Sequence, residues 1–152
     1  MIKKFIYFIE FYAPALLRYG MSAVILWFSL AQFFNAALWL AYVPDSIVSA
    51  TGLSAITLVY FNAVFELLFG VLLVFGWQTR IVAFLLAIHL FDIMYVVGYG
   101  EIGVRDFGLA IATLVVAMNG ADPLCIQKRK KIINDIVAPN PNQPPSPTKR
   151  LI

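Results

Sequence analysis

Between Arg18 and Asp45 the chain runs for 26 residues without a charged side chain. A helix rises 1.5 Å per residue, so about 20 residues cross the hydrocarbon of a bilayer. That run therefore holds one tilted span over residues 19–40, with interfacial ends. Three more apolar stretches follow. Residues 46–79 carry one charge, Glu66, and place a second span at 55–75; residues 81–99 contain His89 and Asp92; a fourth segment, 103–119, opens beside Arg105 and Asp106. A 152-residue chain that is 62% hydrophobic and 12% charged has too much surface for its volume to hide such material from water. An ordinary soluble enzyme and a disordered chain are both excluded. A signal peptide does not explain the first run, which is too long for an h-region and is followed by further apolar segments.

The expected fold is all-α: an integral membrane four-helix antiparallel bundle spanning residues 19–126. Residues 1–18 read as an N-terminal interfacial segment, with Phe5, Tyr7, Phe8, Phe11 and Tyr12 at headgroup level and Lys3 and Lys4 in water. Residues 127–136 form a basic juxtamembrane segment in which Lys128, Arg129, Lys130 and Lys131 contact anionic lipid. Residues 137–152, rich in proline, read as a disordered tail. Four spans put the N-terminus, the connection near Arg80 and the C-terminus on one side, together with nearly all the Lys and Arg. The opposite connections hold only Arg105, so both termini are expected in the cytoplasm.

The candidate pocket consists of polar side chains inside these apolar runs. Asn62 and Glu66 stand one turn apart on the second span, and a bare carboxylate in hydrocarbon must be neutral, paired or reached by water. His89, Asp92 and Tyr95 follow at three-residue steps on the third span. Arg105 and Asp106 enter from the fourth, with Asp92, Asp106 and Glu66 open as partners for Arg105. Gln32 and Asn35 belong to the first span. Three uses fit this pattern: a polar lock fixing helix rotation, a ligand or quinone cavity, and a proton or small-solute path.

One cysteine, Cys125, and one histidine exclude an internal disulfide, a Cys-x-x-Cys couple and a His-rich haem or zinc site. No flavin, nicotinamide or metal motif is present. The basic charge belongs to the membrane-facing ends and is not a nucleic-acid footprint.

The segment LRYGMSAVILWFSLAQF from Leu17, ELLFGVLLVFGWQTR at 66–80 and VRDFGLAIATLVVAMNG at 104–120 resemble the DoxX-like family of small four-span membrane proteins. The most specific part is Glu-Leu-Leu-x-Gly followed by a glycine turn and Thr79-Arg80. The resemblance covers about residues 17–125. It implies a multi-pass protein of a bacterial or archaeal cytoplasmic membrane, in a family sometimes placed in quinone-linked redox complexes. It carries family-type polar positions onto Arg18, Thr79 and Arg80 at the interface, and onto Glu66, Arg105 and Asp106. The expected partners are membrane lipids, a redox or assembly subunit and a second copy of the chain. The expected role is a small membrane subunit whose polar pocket binds quinone or lipid within a redox-linked complex, a quinone-binding subunit rather than a complete enzyme, with a non-enzymatic scaffold or assembly subunit and a small-solute or proton path as the alternatives.

Overall fold

The computed structural model describes residues 2–98 and 100–128, and among them the regular structure is entirely helical. Arg129, Lys130, Lys131 and the proline-rich segment lie outside the described residues. The elements are α1 (Ile2–Phe34), a 3₁₀ segment (Ala36–Tyr42), α2 (Asp45–Thr51), α3 (Ala55–Phe75), α4 (Thr79–Val97) and α5 (Glu101–Asn119). The expected second span coincides with α3, whereas the first ends early. Asn35 leaves helical geometry at φ −137°, and the chain tightens into the 3₁₀ segment. At the other end α1 does not stop at Arg18. It runs without a break through Pro14 to Ile2, so the expected interfacial segment and first span form one helix of 33 residues. The expected first connection contains a short helix, α2.

Caps set the remaining boundaries. The Ser54 hydroxyl accepts a hydrogen bond from the Thr57 N–H and opens α3. Gly76, at φ +66°, closes α3: its N–H and that of Trp77 donate to carbonyls of the last turn. Only glycine fits this position. Its φ is left-handed, and a Cβ there would overlap the Cys125 sulfur.

Among the described residues three helices, α1, α3 and α4, are long and apolar enough to cross a membrane; α5 equals α4 in length, at 19 residues, but carries Glu101, Arg105 and Asp106. The main packing pairs are α1 with α3 and α4 with α5. One core joins all four: Met21 and Ile25 from α1, Leu73 from α3, Val82, Ala83 and Leu86 from α4, and Val116 and Ala117 from α5. Buried Ala63, Ala83, Ala87 and Ala110 let helix backbones approach, as membrane helices require where lipid is as apolar as the core. Large apolar side chains such as Trp27, Phe61, Leu68 and Met118 face outward. That arrangement suits a hydrocarbon solvent.

Candidate functional site

The helix pairing brings three polar residues of the first two spans together. Gln32 of α1 bridges Asn62 and Glu66 of α3: the Asn62 amide donates to Gln32 Oε1 at 2.8 Å, and Gln32 Nε2 donates to Glu66 Oε2 at 2.8 Å. Four-residue spacing puts Asn62 and Glu66 on one side of α3, where a single glutamine reaches both. Nearby, the Ser29 hydroxyl donates to the Ala63 carbonyl at 2.8 Å and ties the same two helices. The second carboxylate oxygen, Glu66 Oε1, faces His89 Nε2 of α4 at 3.8 Å. That nitrogen is buried and has no hydrogen-bond partner. The imidazole rests on the Phe65 ring, with centroids 4.5 Å apart. Acid and imidazole are therefore adjacent, and the acid is oriented by an amide relay.

Arg105 has a different partner from Glu66. Its Nε donates to Asp106 Oδ1 at 2.8 Å, and its guanidinium lies 4.5 Å from the Phe28 ring centroid, one helical turn before Gln32. Asp106 is buried, whereas Arg105 is partly exposed. Three expected pocket residues lie elsewhere. Asp92 and Tyr95 are exposed on α4, and Asn35 is exposed at the end of α1. The reason is geometric: each three-residue step advances 300° around a helix, so the row from His89 through Asp92 to Tyr95 drifts from the protein side to the outside.

A second polar cluster forms at the Gly76 end of the molecule. Arg18, expected at the interface, has no exposed surface. Its Nε donates to Asp122 Oδ2 at 2.6 Å and its Nη1 to the Leu73 and Val74 carbonyls at 2.8 and 2.5 Å. Both carbonyls belong to the last turn of α3, where helical donors run out; Leu73 accepts in addition from the Gly76 N–H at 3.1 Å. Asp122 also accepts from the Leu124 N–H at 2.8 Å and from the Cys125 thiol at 3.4 Å; the thiol lies 3.5 Å from the Thr79 hydroxyl. Burial alone would raise the Asp122 pKa, but the Arg18 guanidinium and the Leu124 amide bring it below the ordinary carboxylate value. Thr79 is buried here too, while Arg80 is exposed. Lys128, expected on lipid, is exposed.

Sequence reading missed Asp122. Its only signal was an acid placed just after the last apolar helix, on the same side as Arg18. Cys125, which the sequence leaves without a partner cysteine, belongs to this separate cluster.

No curated protein and no solved structure matches the chain. The DoxX family model matches residues 8–99, which hold most of α1 and all of α3 and α4, and with them Gln32, Asn62, Glu66 and His89. The match takes in more than half of the 152 residues, and the chain belongs to the DoxX family.

Proposed function

We propose that this protein is a small multi-pass membrane subunit whose Glu66–His89 pair serves a lipid-borne quinone within a redox-linked complex. In this reading α5 is the fourth span of an antiparallel bundle and both termini are cytoplasmic. The observation that carries the reading is His89: its Nε2 is buried without a partner beside Glu66, while the side chain as a whole is 19% exposed at the molecule's edge. A quinone diffuses in the bilayer and presents carbonyl oxygens that accept hydrogen bonds. Its reduction to the quinol takes two electrons and two protons. His89 would donate one proton to a carbonyl oxygen and, reprotonated by Glu66, which Gln32 holds, would donate the second, and water would return both protons to the pair. The electrons come from a partner subunit, so this chain binds and protonates without being a complete enzyme.

Purification of the chain in mild detergent, followed by quinone extraction, tests the reading. The expected result is bound quinone that falls about tenfold in affinity in His89→Leu or Glu66→Leu, the loss of one charge-assisted hydrogen bond. Helical content by circular dichroism stays unchanged. Quinone binding equal in wild type and both variants would overturn it.

The second reading is a scaffold, favoured by the closed Asn62–Gln32–Glu66 relay that ties α1 to α3. Absence of bound quinone, with the abundance of a partner subunit falling in a Gln32→Leu strain, would select it.

A further inference from the structure

A groove at the Gly76 end of the molecule lies between α4 and α5, apart from the Glu66 network. Its volume is about 470 Å³. Ile81, Phe84 and Leu85 of α4 line one wall, Leu114 and Met118 of α5 the other, and Arg80 stands at its mouth. These α4 residues recur at three- and four-residue spacing, as do Leu114, Ala117 and Met118 of α5, so two helix faces meet along a shared trough. No acid pairs with Arg80 among the described residues. The side chain is nonetheless placed. It lies across Gly120, where a Cβ would come 2.5 Å from Arg80 Nε, and Gly120 itself sits at φ +72°. Trp77, exposed in the adjoining turn, belongs to the residue type that settles at headgroup depth.

A trough that is apolar along its length and cationic at one end matches a molecule with the same division. We propose that this groove binds one anionic phospholipid, with an acyl chain between α4 and α5 and the phosphate on Arg80. Charge complementarity selects the occupant. An apolar helix covering this groove would leave the Arg80 guanidinium without an anion, whereas a phosphodiester accepts from its fork. The trough is short: from Arg80 to Leu85 the helix rises only about 7.5 Å, enough for the first part of an acyl chain, with the rest continuing into the bilayer. The site does not depend on the quinone reading, because it shares no residue with it.

Native mass spectrometry of the full chain in detergent, with palmitoyl-oleoyl phosphatidylglycerol or phosphatidylcholine added, tests the proposal. Wild type is expected to retain one phosphatidylglycerol in preference to phosphatidylcholine. Arg80→Gln should lower that affinity about fivefold, the effect of about 1 kcal/mol per basic residue at a membrane surface. Arg80→Lys should keep most of it. Leu85→Trp, which fills the trough without touching the charge, should reduce retention of both lipids; it decides the matter if Arg80→Gln does not fold. Three results would overturn the site. One is equal retention of phosphatidylglycerol by wild type, Arg80→Gln and Leu85→Trp. Another is displacement by glycerol phosphate, which has no acyl chain, as efficient as by the lipid. The third is loss of binding on neutralising Lys128, Arg129, Lys130 and Lys131 while Arg80 is intact.

Discussion

At the scale of single residues, the two acids buried within the described helices are satisfied in different ways. Glu66 receives a neutral amide from Gln32, whereas Asp106 receives the guanidinium of Arg105, the residue before it in sequence. Arg105→Leu leaves the buried Asp106 carboxylate unpaired and should cost on the order of 1–2 kcal/mol in detergent unfolding. Arg105→Lys keeps the charge and should cost less. Adding Asp106→Asn to Arg105→Leu should recover part of the loss, while adding Glu66→Gln or Asp92→Asn should recover none. Coupling of Arg105 to Glu66 and not to Asp106 would contradict this pairing. The polar residues of the Glu66 network were legible in the sequence because Gln32, Asn62, Glu66 and His89 stand out inside apolar runs. Asp92 and Tyr95 stood out equally. A row at three-residue spacing cannot stay on one face of a straight helix, and that drift separates them from His89.

At the scale of elements, the segment after α5 acts as a strap over the end of the bundle. It brings Asp122 to Arg18, the Cys125 sulfur to Thr79, and Cys125 against Gly76. Gly76→Ala forces a left-handed φ on alanine and pushes its methyl into Cys125, so a loss of about 1–3 kcal/mol is expected from thermal unfolding. The strap also carries a pH signature. Because the folded Asp122 pKa is below its unfolded value of about 3.9, its contribution is complete above that pH and is lost as pH falls through the folded value. Melting temperature should therefore hold between pH 7 and 5 and drop on further acidification. Asp122→Asn should lower stability at neutral pH and flatten that acid limb; an unchanged acid limb would show that the carboxylate does not anchor the strap. None of this was readable from periodicity. Arg18 and Asp122 are 104 positions apart, and Asp122 belongs to no apolar run. The helix boundaries were more legible because Ser54, Gly76 and Gly120 mark ends by their own backbone preferences, while the break at Asn35 lacks a glycine or proline to announce it.

At the scale of the whole molecule, exposed Asp45 and Glu101 belong to one end and exposed Gln78 to the other. Single cysteines at these positions in a Cys125→Ser background should label with an impermeant reagent from outside at 45 and 101 and from the cytoplasm at 78. The reverse pattern would invert the proposed topology. The bond between Arg18 and Asp122 also puts the molecule on a clock. Arg18 leaves the ribosome with the first helix, and its carboxylate follows 104 residues later. At roughly 5–20 residues per second, the guanidinium waits about 5–20 s for its partner. During that interval the two carbonyls of Leu73 and Val74 are the earlier arrivals, so α3 is positioned to hold Arg18 before the strap closes. A chain cut just before Asp122 would contain all five α-helices and still lack the anion that its first helix was built to meet, so the last contact of this end to form is set by the order in which its parts are synthesised.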